Sequence, residues 1–240
     1  MTTTQEPTTR RRQPDPRRVR IGLAVTALVC VVFLVLELPA YLGVDPARSR
    51  IPVRTDYALH YPLLWAHIMF GSVALLTACL QIWPWLRRAH PRVHRWSGRL
   101  YLFGGVLPGG VVVLGVAPVS STGFASAVGN TFLAVLWLAT SVAGWRAARA
   151  RRYADHRAWM IRSVALTFSI VVNRFWVVVY VVLLMAVDPA DPELIPHAAT
   201  ASVWTSWIVN LLVAEWWILR SGRRGRVTLP EGEHRAPVGS

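Results

Sequence analysis

The chain has 240 residues, 54% hydrophobic and only 16% charged, where ordinary globular domains carry roughly 25% charged residues. Its net charge is +14, yet the basic residues lie between and beside long apolar runs. No segment outside those runs is long enough to fold as a basic domain. A soluble enzyme, a disordered chain, a disulfide scaffold and a nucleic-acid binder are all excluded by this arrangement.

Crossing a hydrocarbon core of about 30 Å takes about 20 apolar residues. Six such spans are predicted in chain order, at 21–43, 59–85, 100–118, 124–145, 158–187 and 200–219. The fold class expected is all-α, a polytopic membrane helical bundle. Residues 1–20 and 220–240 read as disordered basic tails flanking a transmembrane domain over 21–219. The first run is longer than a signal-peptide core and has no small-x-small cleavage site after it, so it is expected to stay as a helix.

The connections fall into two sets. Arg10, Arg11, Arg12, Arg17, Arg18 and Arg20 precede the first span, and Arg87, Arg88, Arg92, Arg95 and Arg99 lie between the second and third. Arg146, Arg149, Arg151, Arg152 and Arg157 join the fourth and fifth, and Arg220, Arg223, Arg224, Arg226 and Arg235 end the chain. The alternate connections hold only Arg48, Arg50 and Arg54, with Arg162 and Arg174 inside spans. Short Arg-rich loops stay inside, so both termini are expected in the cytoplasm of a cell (plasma) membrane. Trp83, Trp85, Trp96, Trp145, Trp159, Trp216 and Trp217 fall at the same boundary, as interfacial tryptophans do. Cys30 and Cys79 sit inside apolar runs as packing groups.

Polar groups within spans are costly and mark candidate sites. In the second span His67, Gly71, Ala74, Ala78 and Gln81 share one face, a small and polar stripe that must turn to the bundle interior. Depth places Glu37, His67 and Arg174, with Asn173, in one buried cluster in which Glu37 neutralises Arg174. Arg162 and Glu215 form a second expected pair near the inner boundary. The glycine- and proline-rich run from Gly104 to Gly110 predicts close packing or a kink.

Two hairpins end alike, in His94-Arg95-Trp96 and in His156-Arg157-Ala158-Trp159, which suggests a parallel repeat with a site between its halves. His94 and His156 at matching depth could ligate one haem iron, with Arg95, Arg99 and Arg157 facing its propionates and His67 as a further ligand. The same helix starts also suit an anion or a lipid headgroup. A third reading leaves both motifs as membrane anchors, with Asp155 capping the fifth helix. His60 and His197 are more distant candidates as outer ligands.

The segments His67-Ile68-Met69-Phe70-Gly71 through Gln81, His94-Arg95-Trp96-Ser97-Gly98-Arg99-Leu100-Tyr101 and Asp155-His156-Arg157-Ala158-Trp159-Met160-Ile161-Arg162-Ser163, followed by Arg174, resemble the domain-of-unknown-function 2306 family of predicted bacterial membrane proteins. The resemblance covers about residues 57 to 185 and implies a membrane protein without an assigned activity. From His94, His156 and His67 the leading specific expectation is a haem b-binding redox or electron-transfer protein, an oxidoreductase if it is an enzyme, with a quinone-like electron carrier as partner. The alternatives are a transporter or a lipid- or anion-binding protein using the Glu37, His67 and Arg174 cluster, with anionic phospholipid as partner, and a structural or assembly protein. A hydrolytic enzyme is the least supported class, since the sequence has no zinc-protease motif, nucleophile elbow or phosphate loop.

Overall fold

A computed structural model describes residues 15–226, and among them there is no strand. Six long helices carry apolar stretches sufficient to cross a membrane: α1 (Pro16–Glu37), α2 (His60–Gln81), α3 (Pro91–Val119), α4 (Phe124–Arg149), α5 (Tyr153–Val187) and α6 (Leu194–Arg226). The all-α, six-span architecture expected from hydropathy is the one observed.

Helix ends differ from the apolar runs for local reasons. α1 stops at Glu37 because Pro39 lacks an N–H, and a separate turn, Pro39–Leu42, follows it. α3 begins at Pro91, whose fixed φ suits a first helical position. At their other boundaries the arginine-rich segments prolong the helices past the apolar runs. Residues 16–20 and 220–226, read as tail, are helical; the rest of both tails lies outside the described residues. Asp155 does not cap α5. It stands in the first turn and pairs with Arg152 at 3.3 Å, because the chain enters the helix at Arg152, three residues earlier.

The link between α4 and α5 is a tight reversal. Arg152 N–H bonds Ala147 C=O at 2.9 Å and Arg151 N–H bonds Ala148 C=O at 3.0 Å, with Arg151 in the left-handed region at φ 58°. That is a Schellman closure in which a non-glycine residue carries the strained position.

α5 packs along α4 and α6, and α2 along α3, while α1 lies at the edge against α2 and touches α5. The central core joins Ala74 and Ala78 of α2, Tyr101 and Val106 of α3, Trp137 of α4, Val164 and Leu166 of α5 and Trp207 of α6. A smaller cluster of Cys30, Leu34, Leu75 and Cys79 attaches α1. Most other α1 valines and leucines, such as Val25, Leu28, Val32 and Val35, are exposed, as a lipid-facing surface would be.

α3 is not uniform. Leu100–Val106 forms a π-helical turn ahead of Pro108, whose missing N–H and ring would otherwise conflict with the carbonyl one turn earlier. At that turn α3 and α2 touch backbone to backbone. A Cβ added to Gly105 would lie 2.8 Å from Ala74 Cβ and 2.9 Å from its Cα and N. The α2 stripe thus works as expected, small residues allowing close approach, and the glycine-rich run supplies both the packing and the irregularity.

Candidate functional site

Away from the arginine-rich face, the helices part to leave a cavity of about 360 Å³. All six helices contribute to its wall, which is largely apolar: Phe33 and Leu34 of α1, Leu64 and Leu75 of α2, Val113 and Val116 of α3, Leu133 of α4, Ile170 and Val177 of α5, and Val203 of α6. Polar groups enter at selected points, among them Glu37, His60, His67, Asn130, Asn173 and Arg174, with hydroxyls that include those of Ser126, Thr167, Ser202 and Ser206.

Two of the expected partners meet here. Arg174 Nε donates to Glu37 Oε1 at 3.2 Å, joining α5 to α1. Glu37 Oε2 faces Arg50 at 3.5 Å, and Arg174 also reaches Asn173 Oδ1 at 3.4 Å. Asn173 in turn donates to Ser202 of α6 at 2.9 Å. The pair lies at the rim and not in a buried centre, since the Arg174 side chain is 46% exposed. His67 bonds neither residue, and shares only the cavity with them.

His67 is held by α3, its Nδ1 lying 3.2 Å from the Gly109 carbonyl oxygen. A carbonyl can only accept, so Nδ1 carries the proton and a neutral ring leaves Nε2 as a lone pair. His60, one heptad earlier on the same face and 2% exposed, is held the opposite way. The Arg54 backbone N–H donates to its Nδ1 at 3.2 Å, which puts the proton on Nε2. The loop bearing Arg54 is braced by its own ion pair with Asp56, and the guanidinium holds that carboxyl below its ordinary range.

Beneath the cavity lies a buried network that the sequence reading missed. Trp137 Nε1–H donates to Thr167 Oγ1 at 2.8 Å, Tyr101 Oη lies 2.8 Å from Thr167 Oγ1 and 2.5 Å from Ser163 Oγ, and Ser141 Oγ lies 2.6 Å from Ser163 Oγ. The Thr167 hydroxyl proton goes to the Ser163 carbonyl at 3.0 Å, so its oxygen must accept from both Trp137 and Tyr101. Tyr101, its proton committed, accepts from Ser163, and Ser163 accepts from Ser141. The donor order runs one way, from Ser141 through Ser163 and Tyr101 to Thr167. Tyr101, Ser141 and Ser163 are fully buried.

The network also ties the two similar hairpins together. His94 and His156 each occupy the fourth helical position, counting from Pro91 and Tyr153, and Tyr101 and Ser163 follow seven residues after them. Asn130, Ala134, Trp137, Ser141 and Gly144 share one face of α4 at the spacing of the α2 stripe, but that spacing does not say which hydroxyls of α3 and α5 they meet.

The haem candidates fall in two places, His67 on the cavity wall and His94 and His156 at the arginine-rich end. His156 Nδ1 donates to the Gly144 carbonyl at 2.9 Å, and His94 Nδ1 is buried without a partner among the described residues. Neither lines the cavity that holds His67. Arg95 and Arg157 are exposed, and Arg99 lies over the Trp96 ring at 5.1 Å. Among the described residues no three His, Cys, Asp or Glu side chains gather as a metal site. Arg162 and Glu215 do meet, in a bidentate pair between α5 and α6 whose second bond is 2.8 Å, with the guanidinium 4.7 Å from the Trp159 centroid. Similar stacks of Arg149 on Trp145 and Arg220 on Trp216 mark the arginine-rich boundary.

The family model for a predicted membrane protein, DUF2306, matches residues 64–218, and the chain belongs to that family. The match takes in α3, α4, α5 and most of α2 and α6, and leaves α1 with Glu37 outside it. No curated protein and no solved structure matches the chain.

Proposed function

We propose that this DUF2306 member is a membrane-embedded binding or transport protein for a small amphipathic molecule. The molecule's tail lies on the apolar wall of the cavity, and its head lies among His60, His67 and Asn130. The observation that carries this reading is the cavity itself, apolar over most of its wall and supplied with oriented polar groups from several helices, the composition of ligand sites in general. The arginine distribution, taken with the positive-inside rule, supports a cell-membrane protein with both termini cytoplasmic and the cavity in the outer half. The ring of Arg–Trp stacks supports the same orientation.

The test uses Gly71, which lines the cavity and would meet nothing within 4 Å if given a Cβ. Gly71→Leu therefore projects a side chain into the cavity and narrows it, its Cβ meeting no clash. The expected result is a small molecule co-purifying with the wild-type protein, seen by mass spectrometry of the organic extract, and lost from Gly71→Leu at unchanged thermal stability. A wild-type extract without such a molecule, or equal retention by the variant, refutes the proposal.

A haem b redox protein with His94 and His156 as ligands is the second reading. What favours it is the bond from His156 Nδ1 to a carbonyl, which leaves Nε2 free in the manner of a ligating imidazole. Space weighs against it. Tyr101 and Ser163 bring α3 and α5 into hydrogen-bond contact about 10 Å deeper, leaving a macrocycle only the shallow arginine-rich mouth. A reduced-minus-oxidised spectrum decides: a b-type band lost in His156→Ala establishes the haem reading, and a colourless protein expressed with haem supplied removes it.

A further inference from the structure

We infer that the head of the bound molecule is an uncharged hydroxyl that donates to Nε2 of His67. The inference rests on the proposed cavity site and names the ligand chemistry that the site selects.

The first observation is the opposite fixing of the two cavity histidines. The Arg54 N–H on His60 Nδ1 requires a lone pair there, so His60 is neutral and offers Nε2–H as a donor. The Gly109 carbonyl on His67 Nδ1 requires a proton there, so the neutral ring offers Nε2 as an acceptor. Neither Nε2 has a protein partner among the described residues. Seven residues of α2 separate the rings, about 10 Å along the axis. The cavity thus presents a donor at its outer end and an acceptor farther in, and an acceptor that faces a cavity is satisfied by an O–H or N–H entering it.

The second observation is the charge balance. Arg174 is the guanidinium on the cavity wall, and Glu37 already holds it at 3.2 Å. The other oxygen of Glu37 faces Arg50 at 3.5 Å. A carboxylate or phosphate head would have to displace Glu37 to gain a cation, and an ammonium head would have to displace an arginine. A neutral alcohol displaces neither. Its oxygen gives the proton to His67, and the aliphatic tail takes the apolar wall. An anionic phospholipid, attractive from the arginine count alone, is not the ligand that this cavity selects.

The experiment compares three probes of equal chain length, dodecanol, dodecyl methyl ether and dodecanoate, competing for the full chain in lipid nanodiscs, with bound species read by native mass spectrometry. The alcohol and the ether differ in the donated proton, so the alcohol is expected to win by about tenfold, the effect of one net hydrogen bond of this kind. His67→Leu should bring that ratio to about one while the ether still binds, and His67→Gln, which restores an acceptor, should recover the preference. Equal binding of alcohol and ether to wild type overturns the hydroxyl assignment and leaves the cavity reading standing. Dodecanoate displacing dodecanol overturns it in favour of an anion site. Equal losses of all three in both His67 variants overturn the hydroxyl assignment alone, and no probe bound by wild type refutes both readings together.

Discussion

Tyr101→Phe removes one oxygen from a fully buried position and keeps the ring that fills the core. The donor order sets the cost. Thr167 keeps an incoming bond from Trp137, so its oxygen is not stranded. Ser163 loses the acceptor 2.5 Å away, and its buried hydroxyl proton is left without one. An orphaned buried donor costs about 1–3 kcal/mol in soluble proteins. Side-chain hydrogen bonds between membrane helices average about 0.6 kcal/mol, because the unfolded state in lipid also finds partners. The complete exclusion of solvent and the shared network argue for the upper part of the overlap, about 1.5 kcal/mol. Ser163→Ala should cost about as much, since it strands Ser141 instead. The double variant leaves one orphan, like either single, so its cost should exceed a single by no more than about 0.5 kcal/mol. Unfolding by dodecyl sulfate titration from mixed micelles, followed by tryptophan fluorescence, measures all three. Additive costs, or a Tyr101→Phe protein within about 0.3 kcal/mol of wild type, would refute the donor order derived from Thr167.

Gly105→Ala should cost at least about 1–3 kcal/mol, because the new methyl meets the Ala74 backbone, whereas Gly71→Ala should be neutral or slightly stabilising; thermal melts in one detergent compare them. Arg151→Gly should raise stability by about 0.5–1 kcal/mol by relieving the left-handed turn between α4 and α5, and a lower melting temperature would contradict the Schellman reading. Glu215→Gln should cost about 1 kcal/mol, discounted for the partial exposure of both side chains, and less still at high salt. Because Cys30 and Cys79 pack against each other across α1 and α2, mercuric ion should bridge them in the intact protein, and mass spectrometry should find one bridging mercury, absent from Cys79→Ala.

The bilayer makes the helices legible. A span must be about 20 residues long and apolar, and these requirements appear directly in hydropathy. The α2 stripe and the Glu37–Arg174 and Arg162–Glu215 pairs were legible for a related reason: a charge within a span needs a partner, and depth restricts the choice. The hydroxyl network was not. Serine and threonine are tolerated anywhere in a membrane helix by bonding the preceding turn, as Thr140 does with Leu136, so their presence alone signals nothing. Only the crossing of α3, α4 and α5 selects Ser141, Ser163 and Thr167. The π-helical turn was hidden likewise, since Pro108 announces a disturbance without saying how the helix absorbs it. The haem expectation came from equal depth of His94 and His156, a one-dimensional quantity. In three dimensions His67 belongs to a different compartment.

The central claim is that the cavity between the six helices holds an amphipathic molecule against His67. Electron cryomicroscopy of the protein in nanodiscs made from the host membrane, at a resolution that shows side chains, tests it most directly. The account predicts an elongated non-protein density beside Leu64, Leu133 and Val203, its polar end within hydrogen-bond distance of His67 Nε2 and absent from Gly71→Leu. A cavity closed by its own side chains, with the His67 Nε2 bonded to protein, would contradict it.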